Sequence, residues 1–316
     1  MAFIAFLFVA FFSVFSVGCS APVLSGADPT IELDGGSVVQ DAGAPQREIA
    51  FSLHFAPGDV QPGDEGIHCI DIPGPAVDTW VSGWHVTKTA VHHTNVWIRK
   101  EPSTTAPWTK PTACGGGWGR GTFVLDSSRP DLVEALPPDV ALKLPGGSSL
   151  IVDVHFLNTS DAPLAENVHV DFFDGAQHTT EASGLLLFGG AQAGPLDLQP
   201  GQTKTVTLTP TLPLHANNDL LTLIGHEHAH GVLETMTVDG VEVYRSSNWA
   251  EPPVLQPAPP IHVTPTSKVS WSCTYSNPDT FVVQWGPRLA DTEMCQVFGL
   301  STGPHWESQA RTGVFQ

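Results

Sequence analysis

Apolar positions along this chain come in short runs, and within the runs they recur at every second residue. Thr203-Lys-Thr-Val-Thr-Leu-Thr209, Asn167-Val-His-Val-Asp-Phe172 and Met236-Thr-Val-Asp-Gly-Val-Glu-Val-Tyr244 alternate apolar and polar residues. A strand does this when one face meets a core and the other meets water. Leu150-Ile-Val-Asp-Val-His-Phe156 reads as a strand too, and Asp239-Gly240 between two runs is a hairpin signal. No long stretch sustains a 3.6-residue period. Prolines (28) and glycines (30) punctuate the 316 residues. The pattern predicts an all-β chain of two consecutive antiparallel β-sandwich domains, jelly-roll-like in style. The length fits two domains. Gly-Gly, Ala-Gly-Pro and Gln-Pro-Gly cluster between Gly189 and Pro200, so the boundary is expected there. Residues 48–190 would form the first sandwich and 191–316 the second, with Pro252 to Pro260 as a long loop.

The N-terminus follows other rules. Met1 to Gly18 carry no charge and are rich in Phe, Val and Ala. That run has the length of a secretory signal's apolar core rather than of a spanning helix. It ends in Ser16-Val17-Gly18-Cys19, which resembles a bacterial lipobox. The resemblance implies a signal peptide over 1–18 and an acylated Cys19; plain secretion is the alternative. Residues 19–47 lack periodicity and are rich in Gly, Pro, Ala, Ser and Asp, the composition of a flexible tether. The expected location is the bacterial cell envelope, with membrane contact only through a lipid on Cys19.

Charge and cysteines narrow the picture further. The net charge is −19 and the 13 basic residues lie scattered, which leaves no patch for phosphate and excludes nucleic acid as a partner. Beyond Cys19 stand Cys69, Cys114, Cys273 and Cys295. An even number in an exported chain predicts two disulfides, and four cysteines allow three connectivities. Pairing Cys69 with Cys114 and Cys273 with Cys295 closes the shorter loops and matches the two-domain division.

Candidate metal ligands are spread over about 200 residues in a fixed order: His92-His93, His155, His226-Glu-His228, then Met294 beside Cys295. Five imidazoles and a thioether predict two metal centres. A soft sulfur with imidazoles suits copper, Cu(I) in particular, better than zinc, calcium or magnesium. On a strand His226 and His228 share a face, with His230 next along. His92 and His93 are neighbours, so both reach one metal only at a strand end or a bulge. His226-Glu227-His228-Ala229-His230 also matches the H-E-x-x-H zinc-peptidase pattern, which requires a helix. Gly225 and Gly231 flank the motif closely and argue against one.

The order and spacing of these ligands resemble the copper type II, ascorbate-dependent monooxygenase family, which includes peptidylglycine α-hydroxylating monooxygenase and dopamine β-monooxygenase. The resemblance runs over roughly residues 50 to 305. It takes in the two cysteine pairs and the string Cys273-Thr-Tyr-Ser-Asn with Asp291-Thr-Glu-Met-Cys295. It implies an electron-transfer copper on His92, His93 and His155, and an oxygen-activating copper on His226, His228 and Met294. It also implies disulfides Cys69–Cys114 and Cys273–Cys295, two copper ions per chain, and ascorbate or another electron donor. The expected activity is hydroxylation of a C–H bond of a small or peptide-like substrate with O2. Ile224, Gln296 and Phe298 stand where peptide-amidating members carry an Arg, an Asn and a Tyr for a substrate carboxylate, so a C-terminal glycine substrate is not expected. The rival of another class is a non-catalytic copper-binding exported lipoprotein. A polysaccharide monooxygenase with an N-terminal histidine brace is disfavoured by Cys19 at the expected mature N-terminus.

Overall fold

The computed structural model describes residues 38–39, 47–101, 105–117, 119–210 and 216–315. The signal segment, Cys19 and nearly all of the expected tether lie outside the described residues; two tether residues, Val38–Val39, form a short strand on Arg47 and Glu48. Among the described residues the chain is all-β. It has one three-residue 3₁₀ turn, Ala191–Ala193, and no α-helix. No helix among them is long and apolar enough to cross a membrane.

The first half is built from two facing antiparallel layers. One is a five-stranded sheet in the order Thr112–Ala113, Glu65–Pro73, Ser149–Leu157, Val91–Arg99, Gly121–Ser127. The other pairs Arg47–Val60, Leu164–Asp174 and Thr79–Thr89, with Asp131–Ala135 and Val140–Leu144 alongside. Alternation assigns the faces. Leu150, Val152 and Val154 join Leu53, Phe55, Trp84 and Phe172 in the core between the layers. Ile151, Asp153 and His155 therefore take the opposite face. The same alternation along Val91–Arg99 puts Val96 in that core and leaves His93, Asn95 and Trp97 on the face of His155. A strand that is buried on both sides (Ser149–Leu157 is buried except at its ends) must have a second partner on its outer face.

That partner is the second half. Thr180–Gly189, Cys295–Thr302, Asn218–His226 and Ile261–Val263 run antiparallel side by side. Facing them are Thr203–Pro210, Val269–Ser276, Gly231–Val238 and Val241–Ser246. Trp271, Tyr275, Met236, Val297 and Leu223 fill the core between. The expected hairpin is present: Val238 pairs with Val241, and Asp239 and Gly240 both take positive φ, 52° and 81°, as a two-residue primed turn requires. Thr180–Gly189 belongs to both halves. It pairs with Val140–Leu144 of the first half and with Cys295–Thr302 and Trp306–Phe315 of the second. Ala182 packs in the first core, and Leu185 and Leu187 pack in the second.

A third apolar cluster joins the halves: Trp97, Phe123 and Ile151 from one side meet Leu186, Ile224 and Phe298 from the other. The disulfides are Cys69–Cys114 and Cys273–Cys295, and they place the folded chain in an oxidising, exported environment. Cys69–Cys114 fastens the edge of the five-stranded sheet. Cys273–Cys295 crosses between the two layers of the second half and fixes the backbone beside Met294.

Candidate metal centre

The first histidine group rests on a register defect. His155 lies opposite His93, and the next residue, Phe156, lies opposite Val91. His92 is the extra residue of a β-bulge, and a bulge re-aims the side chain it carries. Two neighbours that would face opposite ways thus come together. The ring centroids of His92 and His93 are 5.3 Å apart, and those of His92 and His93 lie 5.7 and 5.1 Å from His155. The Lys88 ammonium secures the bulge, donating to the carbonyls of His92 and, at 2.7 Å, Ser127.

The second group corrects one expectation. The strand Asn218–His226 stops at His226; residues 227–228 are irregular and lead into a turn at 229–230. His226 and His228 are therefore not successive positions of one strand face. They still converge, with ring centroids 5.4 Å apart. The turn is held by Glu293, which has no solvent exposure. Its carboxylate accepts from the backbone N–H of His228 at 2.9 Å and of His230 at 2.7 Å. The zinc-peptidase reading fails for the same reason. Without a helix His226 and His230 share no face, and the His230 ring engages Asp279 at 2.9 Å and Glu293 at 3.4 Å instead. His230 supports the turn through these two carboxylates.

Met294 follows Glu293 directly. Tyr275 donates its hydroxyl to the Met294 carbonyl at 2.7 Å, and Trp271 donates to the Cys295 carbonyl at 3.0 Å. The Gln296 amide lies 3.0 Å from the Met294 sulfur. Met294 borders a cavity of about 50 Å³, whose walls include His93, His155, His226, Trp97, Leu186 and Phe298. Gln296 and Phe298 line this cavity, and Ile224 packs in the same apolar cluster as Phe298. The wall is mainly apolar and, among the described residues, offers no Arg or Lys to a substrate carboxylate. The cavity's one carboxylate, Asp153, is already satisfied by Asn95, Trp97 and Gly117.

The imidazoles fit a metal. Six buried ring nitrogens have no hydrogen-bond partner among the described residues: His92 Nε2, His93 Nδ1, His155 Nδ1, His226 Nδ1 and His228 Nε2 in the cluster, and His230 Nδ1, which lies 3.4 Å from the Glu293 carboxylate. In two rings the far nitrogen is fixed. His228 Nδ1 meets the Thr292 carbonyl at 2.9 Å, which only accepts, so it carries the proton and Nε2 keeps its lone pair. His155 Nε2 meets the Glu65 carboxylate at 3.2 Å, leaving the Nδ1 lone pair free. Such outer partners orient metal-binding histidines. Burial, and then the neighbouring imidazoles, hold His92, His93 and His226 well below the ordinary imidazole value. Burial lowers His228 as well, with Glu293 opposing. Neutral rings are the form that binds metal.

The two groups meet rather than face each other across a gap. The His93 ring lies 4.5 Å from His226, and His155 lies 5.8 Å from His228. Ligand nitrogens of His92, His93 and His226 are all within 4.8 Å of one another. Glu65, Lys88, Thr292 and Glu293 complete the site and escaped the sequence reading. Lys88 is four residues from His92 and Glu293 touches Met294, but a single charged residue on a strand carries no periodic signal.

No family model matches this chain, and no curated protein matches it. Among solved structures it is similar to PNGase F, a glycosylasparaginase from Flavobacterium meningosepticum. The TM-score is 0.31 at 9% identity, over 84% of this chain and 99% of that one. A β-porphyranase of glycoside hydrolase family 86 from Bacteroides plebeius follows at TM-score 0.17 and 9% identity, over 87% of this chain and 38% of that one. Likeness this low carries no argument about chemistry.

Proposed function

We propose that this chain is an exported copper-dependent monooxygenase that hydroxylates a C–H bond with O2 and an external reductant such as ascorbate. One observation supports the reading above the rest. Five imidazoles, four buried and His92 partly buried, each with a buried unpartnered nitrogen, stand beside a thioether at a small cavity with a mainly apolar wall. His92, His93 and His155 would hold one copper, and His226, His228 and Met294 the other. Bound copper would supply O2 activation and the storage of electrons.

The chain's own residues do the positioning. Glu65 and the Thr292 carbonyl hold two imidazoles in the metal-binding tautomer. Glu293 fixes the turn that presents His228. Gln296 steadies the Met294 sulfur, and Trp97, Leu186 and Phe298 keep the cavity wall dry. With no cation in that wall, the substrate presents an uncharged C–H group. Its wider identity is small or peptide-like.

The envelope assignment belongs to the same proposal, with Cys19 acylated after removal of 1–18; mass spectrometry of the mature N-terminus tests it. Copper-loaded full-length chain should consume O2 with ascorbate in the presence of a substrate panel and release hydroxylated product. A chain that binds copper and consumes none across a broad panel is the non-catalytic exported copper protein instead.

A further inference from the structure

The tightest grouping of ligand atoms in the cluster cuts across the two sets read from the sequence. His92 and His93 come from the bulge of the first half, and His226 comes from the end of a strand in the second. Their ligand nitrogens lie within 4.8 Å of one another. His93 is nearer to His226, at 4.5 Å between ring centroids, than to His155 at 5.1 Å or His92 at 5.3 Å. Each of the three rings has a buried nitrogen without a partner. An unmet buried polar group costs roughly 1–3 kcal/mol, and three neutral rings whose lone pairs converge would share one electron-pair acceptor. Hydrogen-bond donors do not fill that role among the described residues; a cation would. Three imidazoles without a carboxylate suit Cu(I) or Zn(II) rather than calcium or magnesium.

We propose that the first metal ion to bind is held by His92, His93 and His226 together, and that this ion latches the two halves against each other. The inference rests on the proposed function only in taking the cluster as a metal site. It concerns the state with a single ion bound; with two ions bound, His226 would pass to the set with His228 and Met294, and His155 would complete the set with His92 and His93. Other contacts already hold the halves in this relation. Leu289 of the second half donates its N–H to Glu65, the partner of His155. Gln256 donates to the Ala135 carbonyl at 2.8 Å. The third apolar cluster lies between the same two faces. His155 and His228 flank the trio at 5.1 Å from His93 and 5.4 Å from His226, each placed to complete its own set when a second ion binds.

The test is an anaerobic titration of the full-length apo chain with Cu(I) alone, competed against a chromophoric chelator. For the first equivalent, His226→Gln should lower affinity about 100-fold or more, as His93→Gln does, since loss of a mere outer partner already costs up to that much. His155→Gln and Met294→Leu should leave the first equivalent unchanged. X-ray absorption on the unaltered chain with one equivalent bound should show three nitrogen neighbours and no sulfur, a readout that needs no variant to fold. The proposal is overturned if His226→Gln binds the first equivalent as tightly as the parent, if His155→Gln loses it, or if sulfur appears. O2 uptake is a separate readout: a chain that passes the titration and consumes no O2 keeps this site and loses the monooxygenase reading.

Discussion

Met294 shows how a residue of ordinary type acquires a role. A lone methionine in a β protein is usually filler, yet here the thioether borders the cavity with Gln296 at its sulfur and Tyr275 at its carbonyl. Met294→Leu keeps the volume and removes the sulfur lone pairs. Apo stability should change by less than about 1.5 kcal/mol, measured by urea denaturation, while substrate hydroxylation by the copper-loaded enzyme disappears. Retained hydroxylation would return Met294 to the core. Glu293 is the opposite case, a residue no pattern flagged. Its two oxygens accept from two backbone N–H groups of the 227–230 segment in a fully buried position, and charged hydrogen bonds contribute roughly 1.5–3 kcal/mol each. Glu293→Gln turns one acceptor into a donor facing an N–H. The expected loss is about 2–3 kcal/mol in the same denaturation experiment, and a loss near zero removes Glu293 from the site's support. The six candidate ligands were legible because imidazoles and a thioether in that order are distinctive. Glu65, Lys88 and Glu293 were not, because what each one holds is set by the fold and leaves no periodic pattern.

At the level of elements, strands were legible wherever alternation was clean, as in Thr203–Pro210 and Leu164–Asp174. The hairpin at Asp239-Gly240 was legible from the backbone freedom that its φ values demand. The adjacent pair His92-His93 required a strand end or a bulge, and the bulge is there. The end of the Asn218–His226 strand was harder to read. Apolar alternation continues past the turn, and what stops the strand is a carboxylate some 65 residues on, together with the Gly231 N–H returning to the His228 carbonyl at 3.0 Å. Cys273–Cys295 locks the strand that follows Met294 to the layer opposite. Replacing both cysteines by serine reopens a loop of 22 residues, and chain entropy sets the expected cost at about 3 kcal/mol. The thermal transition of the double variant measures it. If Met294 depends on this anchor, the variant's Cu(I) should also show less sulfur coordination by X-ray absorption when both sites are filled.

Across the whole molecule, burial of so many titratable groups makes pH the informative variable. His92, His93, His226 and His228 have folded-state values below the ordinary 6.5 because burial disfavours the imidazolium. In the unfolded chain they protonate near 6.5. The unfolded state therefore binds more protons as pH falls, and the stability of the apo protein present above that value is lost progressively below it. Buried carboxyls act in the other direction. Burial raises Glu134 to about 7, so its contribution is complete below the unfolded carboxyl value and is lost as pH rises through about 7. Apo stability should thus decline on both sides of a mildly acidic window. Metal affinity should behave differently. An exposed cluster of histidines loses its ion once protons compete near 6.5, whereas rings held neutral by burial do not take up protons until well below that. Cu(I) affinity should stay nearly constant between about pH 7.5 and pH 6, read by chelator competition at each pH. A steep fall over that interval would mean that the imidazoles are solvated, and that the enclosure on which the metal assignment depends does not exist in solution.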